Sequence, residues 1–168
     1  MRTNRFAVCF LLGMLFASPV RATGEYELKA AFLYNFAVFT EWPNLTNTLK
    51  LCVIGDDPFG NAMQPLAQKT VHGAAIKVQR ISHVDEARSC QILFIAASEH
   101  GNVPLIASQL RDNPVLTVAE SNGFDHRNVA ITMVTANNRV GFEINQSLAQ
   151  QVRLKLSAHL LKLARQVQ

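Results

Sequence analysis

The chain has 168 residues, 49% of them hydrophobic and 17% charged, with sixteen Lys plus Arg against twelve Asp plus Glu. Arg2, Arg5 and Arg21 all fall within residues 1–22, which read as a cleavable secretory signal, so the mature chain keeps thirteen bases against twelve acids. A net charge of +1 removes the case for a nucleic-acid-binding protein that the pI of 9.2 suggests.

In that signal Arg2 and Arg5 form the positive end, and Phe6 to Ala17 form a short apolar stretch. Ser18-Pro19 break it, and Val20-Arg21-Ala22 set a cleavage site after Ala22. The apolar stretch falls short of the roughly 20 residues a membrane span needs. Cys9 lies inside it, which speaks against a lipoprotein, and no later run is long and apolar enough to cross a bilayer. Residues 23–168 suit a single exported domain.

The first mature element is a helix whose Leu28, Ala31, Phe32, Asn35, Phe36 and Phe39 recur at three- and four-residue steps, followed by Trp42 and a stop at Pro43. Leu49 to Gly55 is a strand, and Asp56-Asp57-Pro58 is a turn before a short helix at Asn61 to Gln68. Ile76 to Ile81 alternates as a half-buried strand does, and Val84–Arg88 leads to Ile92–Ile95, a continuous apolar run suited to a central strand. Pro104 to Leu110 reads as a helix with Pro in its first turn, and Pro114 to Ala119 as a strand. Val129 to Val134 and Arg139 to Ile144 form a hairpin about Asn137-Asn138. A C-terminal helix follows, capped by Ser147 with Gln150, with Leu148, Val152, Leu156, Leu160 and Leu163 as its buried stripe. Strands that alternate with helices and then end in a hairpin imply an α/β three-layer sandwich. Its sheet is mixed and mostly parallel, with an antiparallel C-terminal hairpin and helices on both faces.

Cys52 and Cys90 are the mature chain's two cysteines. An exported chain with two cysteines favours a disulfide over two buried thiols, and neither has the close second ligand a zinc site needs.

Parallel sheets bind ligands beyond their strand carboxyl ends. Those ends make Asp56, Asp57, Phe59, Ser98 and Glu99 a candidate ligand crevice, although an ordinary polar turn also accounts for the acidic pair. Ser98-Glu99-His100 carries triad residue types, but consecutive residues rarely converge as a relay. The five histidines have no paired metal-ligand spacing, and the phosphate-loop, dinucleotide and Gly-x-Ser-x-Gly patterns are missing. The reading is therefore of a non-enzyme without cofactor or metal. Two surfaces remain open to partners. Lys155, His159, Lys162 and Arg165 line one side of the last helix, as a solvated face or a site for an acidic partner or membrane head groups. The Gly123–Asn128 loop carries Phe124 and Arg127.

Tyr26–Pro43, Leu51–Gly60 and Arg139–Asn145, with Cys90–Ala97, Val115–Ala119 and Leu154–Ala164, together resemble the YfiR family of bacterial periplasmic proteins. The resemblance implies an α/β regulator that is not an enzyme. It would bind and restrain the periplasmic sensory part of an inner-membrane signalling protein, a diguanylate cyclase or a sensor kinase, and so govern cyclic-di-GMP and biofilm formation. It also implies release by redox state or by an outer-membrane lipoprotein. Cys52 and Cys90 match the family's structural pair, whereas the second pair that some members carry near the hairpin has no counterpart in His126–Val134. Arg153 stands where a small residue is common, at a helix break before Leu154. Tyr34, Phe39 and Trp42, at the end of the first helix, are candidate partner anchors beside Phe124 and Arg127, against the reading that they close the core. A homodimer is a further candidate assembly. The runner-up reading is a small-solute-binding module that uses the strand-end crevice.

Overall fold

The computed structural model describes residues 21–121, 126–137 and 139–168. The chain runs through α1 (Arg21–Val38), β1 (Thr40–Glu41), β2 (Thr48–Ile54), a 3-10 helix (Gly60–Gln68), β3 (Thr70–Val71) and β4 (Ala74–Ile81). It continues through α2 (Val84–Ala87), β5 (Ile92–Ile95), a 3-10 turn (Ala97–Asn102), α3 (Val103–Leu110), β6 (Leu116–Glu120) and a short turn at His126–Asn128. Then follow β7 (Ile131–Ala136), β8 (Arg139–Ile144), α4 (Gln146–Gln151), β9 (Lys155–Leu156), α5 (Ala158–Leu163) and β10 (Gln166–Val167).

Among the described residues one eight-stranded sheet has the order β10-β8-β7-β6-β5-β2-β4-β3. β4, β2, β5, β6 and β7 run parallel, and β7 pairs antiparallel with β8. The order of strand addition reverses between β2 and β5: β4 is added on one side of β2, and β5 to β7 on the other. The fold is thus the expected single-domain α/β sandwich with a mixed, mostly parallel sheet. Successive residues on a strand face opposite ways, so Leu51, Val53, Ile92 and Phe94 join a core under α1, the 3-10 helix, α4 and α5. Cys52, Ile54, Leu93 and Ile95 join the core under α2 and α3. Cys52 and Cys90 form a disulfide within this second core, with Cα atoms 6.1 Å apart. The bond ties the strand β2 to the residue ahead of its neighbour β5.

The C-terminal helix departs from expectation. It is two short helices, α4 and α5, split by Arg153 at φ +63° and by β9, which pairs with β1. Arg153 N donates to Gln150 O and Leu154 N to Ala149 O, both at 2.9 Å, which closes α4 in the manner of a Schellman motif. The caps are Asn145, whose side chain accepts from Leu148 N, and Ser157, which accepts from Leu160 N; Ser147 with Gln150 plays no such part. The supposed stripe therefore breaks: Leu160 is buried, but Leu163 is 56% exposed. Lys155 now lies on β9 and Arg165 beyond α5, so the basic residues do not share one helix face.

α1 is turned from its predicted orientation. Leu28 is 46% exposed and Ala31 and Asn35 face solvent, while Lys29, Ala30, Leu33, Phe36 and Ala37 are buried. Apolar residues surround this helix almost completely, so periodicity does not choose its inner face. The segment at 61–68 is a 3-10 helix with Pro65 inside, not an α-helix. β3 and β4 form a hairpin that the periodicity does not reveal, turning through His72 at φ +51° and Gly73 at φ +82°. The expected turn at Asn137 has φ +51°, and Asn138 lies outside the described residues.

Candidate functional site

At the carboxyl ends of β2 and β5 the residues of the expected crevice pack on one another. Gly55 has φ +88°, and a Cβ there would lie 2.5 Å from Ser98 Oγ and 2.8 Å from Glu99 Cγ. Asp56 N donates to Ser98 Oγ at 2.9 Å. Asp57 accepts from Phe59 N at 2.8 Å and from Arg80 Nε at 2.7 Å, so its carboxylate serves the turn and the neighbouring strand β4. Phe59 is buried, with its ring 4.7 Å from that of Phe94 and 5.5 Å from that of Tyr26. Glu99 accepts from Asn102 Nδ2.

One β-strand further along, Lys29 is buried between two carboxylates, Glu25 at 2.7 Å and Glu120 at 3.1 Å. Its Nζ also lies 4.5 Å from the centre of the Tyr26 ring. Burial works against the ammonium charge, but the Glu25 and Glu120 carboxylates outweigh it and hold Lys29 above the ordinary lysine value. The same hydrogen bond from Lys29 keeps Glu25 below the ordinary carboxyl value. Burial, reinforced by the negative charge of Glu120, pushes the Tyr26 hydroxyl up. Glu120 Oε1 is buried with no hydrogen-bond partner among the described residues. The four-residue spacing of Glu25 and Lys29 is legible in the sequence, but the pairing with Glu120 is not, because Lys29 and Glu120 meet only when β6 is laid under α1.

The predicted partner residues do not form one surface. Trp42 belongs to the core, 9% exposed, and its Nε1 donates to Gln91 O at 3.1 Å. Tyr34 is half-buried under Lys69, 4.9 Å from ring centre to Nζ, and lines an open groove of about 780 Å³ between α1 and the 3-10 helix. Tyr26, Phe59 and Pro65 line the same groove. Phe39 is half-buried in a separate hollow, 5.0 Å from the His159 ring. Arg127 is exposed and lines a third cavity, and Phe124 lies outside the described residues.

Among the described residues no cluster of three or more His, Cys, Asp or Glu could hold a metal ion, and no helix is long and apolar enough to cross a membrane. The third cavity, about 450 Å³, lies at the amino ends of β6 and β7, away from the predicted crevice. Arg111, which sequence reasoning passed over, is part of its wall.

Two solved structures share the fold at low identity. A conserved domain protein from Vibrio cholerae O1 biovar El Tor matches with a TM-score of 0.57 and 8% identity, over 85% of this chain and 60% of that one. The ABC domain from Streptococcus pneumoniae, solved in complex with L-Trp, matches with a TM-score of 0.53 and 10% identity, over 73% of this chain and 56% of that one. The match thus takes in only a little over half of either solved chain, and likeness at this identity speaks for the fold alone. No curated protein matches the sequence. The family comparison is decisive: residues 26–165, from the first turns of α1 to the start of β10, match the YfiR/HmsC-like family, and the chain belongs to it.

Proposed function

We propose that this protein is a periplasmic regulator that binds the sensory domain of an inner-membrane diguanylate cyclase and restrains it, without catalysing a reaction itself. The family is one of periplasmic regulators in cyclic-di-GMP signalling, and the observation that carries the reading is the match to it across the whole described domain. Restraint requires only that the protein bind the inactive state of its partner more tightly than the active one. Release by an outer-membrane lipoprotein, and a sensor kinase in place of the cyclase, belong to the same reading. Trp42 is core-packed, so within this proposal the partner-facing aromatics are Tyr26 and Tyr34 on the groove beside α1 and Phe39 in the separate hollow after it.

The solute-binding alternative over Asp56, Asp57, Phe59, Ser98 and Glu99 is weakened by the contact of Gly55 with Ser98. Deleting the gene tests the main reading. It predicts a rise in cellular cyclic-di-GMP and capture of a cyclase's periplasmic domain by the purified mature protein. An unchanged cyclic-di-GMP level with no captured cyclase would sink it.

A further inference from the structure

The cavity at the amino ends of β6 and β7 has a composition unlike the α1 groove. Its floor is apolar, from the buried Leu110, Val115, Ala130 and Val152. Its rim is polar, from Ser108, Arg111, Arg127, Asn128, Ser147 and Gln151, and among the described residues no Asp or Glu lines it. Asp112, next to Arg111 in the chain, is absent from the lining.

The walls are tied together. Asn145 Nδ2 donates to Arg127 O at 3.2 Å while Asn145 Oδ1 caps α4, so one side chain fixes the turn before β7 to the helix beside it. Arg153 Nη2 donates to Asp112 O at 3.0 Å, joining the end of α4 to the segment after α3. Two cross-links that hold a helix end and two loops around an open volume define a preformed recess, as small-molecule sites have.

We propose that this recess binds a small polyhydroxylated carboxylate, of the uronic-acid class. Arg111 is the counter-charge for the carboxylate, since a guanidinium presents two parallel donors to it. The amides of Asn128 and Gln151 and the hydroxyl of Ser147 offer donors and acceptors to ligand hydroxyls, and Ser108, whose hydroxyl donates to Leu105 O, offers an acceptor. The apolar floor takes the C–H face of a sugar ring. The inference stands independently of which membrane protein is regulated.

The test is a titration of the mature, disulfide-intact protein followed by amide NMR, with glucuronate, glucose and acetate as separate probes. Glucuronate should give saturable shifts at Ser108, Arg111, Asn128 and Gln151. Glucose lacks the charge and acetate the hydroxyls, so each should bind about tenfold more weakly or worse. Arg111→Met should weaken glucuronate binding by a similar factor while the melting temperature is kept, because Arg111 is exposed. Ala130→Leu, which fills the floor, should abolish binding, and the disposition of the remaining resonances reports whether that variant is folded. Absence of saturable shifts with glucuronate overturns the proposal. So does equal binding of glucose or acetate, or full affinity in Arg111→Met.

Discussion

At the carboxyl ends of β2 and β5, where sheets of this kind commonly hold ligands, Gly55 rests on Ser98 and Asp57 is engaged by Arg80. At the amino ends of β6 and β7 the chain leaves a recess between α3 and α4, rimmed by arginines and amides. Topology made the first region the expected crevice; its residues hydrogen-bond one another, and Phe59 also lines the groove beside α1. Ser98 and Glu99 crowd against Gly55 at the switch point, whereas the recess lies beside α4, whose end Arg153 ties to Asp112 O.

The largest expected effect lies at the amino ends of β2 and β5. Trp42→Ala removes a core side chain and its bond to Gln91, and should cost about 3–5 kcal/mol in urea unfolding. A loss under about 1 kcal/mol would return Trp42 to the partner surface. Nearby, Cys90→Ser opens the loop closed by the Cys52 bond, worth about 4 kcal/mol in the chain-entropy picture. Mature protein should accordingly show no free thiol until reduced, and two thiols per unreduced chain would contradict the bond.

The carboxyl end is tested next. Lys29→Met leaves Glu120 buried without its partner and should cost about 3 kcal/mol, with much of it regained when Glu120→Gln is added. The same cluster has a pH signature. Glu25 is held below its ordinary value of 4.5, so its contribution is complete above that pH and fades as pH falls through the folded value. Lys29 is held above 10.5, so its contribution is complete below that pH and is lost as pH rises through the folded value. A Lys29→Met chain whose stability keeps the wild-type pH dependence at both ends would refute the coupling.

Gly55→Ala brings a Cβ against Ser98 at a positive φ, and a cost of about 2 kcal/mol is expected. Adding Ser98→Ala should recover only a portion of the steric part, since Glu99 Cγ at 2.8 Å remains, and leave the backbone part. Smallest in stability is Tyr34→Ala on the groove, expected within about 1 kcal/mol of wild type. Its effect should appear in capture of the cyclase domain, and unchanged capture would move the partner surface to the hollow of Phe39 and His159.

Much of the sheet was legible because its signals are local. Leu49 to Gly55, apolar but for Lys50 and the closing glycine, and the apolar Ile92–Ile95 are of strand length, and the observed β2 and β5 match them within a residue at each end. Two cysteines in an exported chain pointed to their disulfide. The C-terminal leucine pattern misled, since its three- and four-residue spacing continues through Arg153 although the helix does not. Asn145 and Ser157 each precede a helix and accept the bonds of a cap, so two starts could have been read from residue type alone.

The sequence by itself determined the alternation of strands and helices, the hairpin, the cysteine pair and the family resemblance. Each of these rests on residue type and spacing within a short window or on ordered motifs. Tertiary structure alone decided which face of α1 is buried, the pairing of Lys29 with Glu120, the close approach of Ser98 to Gly55 and the recess beside Arg111. These depend on groups far apart in the chain. A lysine can be buried only where a distant carboxylate meets it, and an arginine at φ +63° is held by a hydrogen bond to Asp112 O, the carbonyl of a residue on another loop.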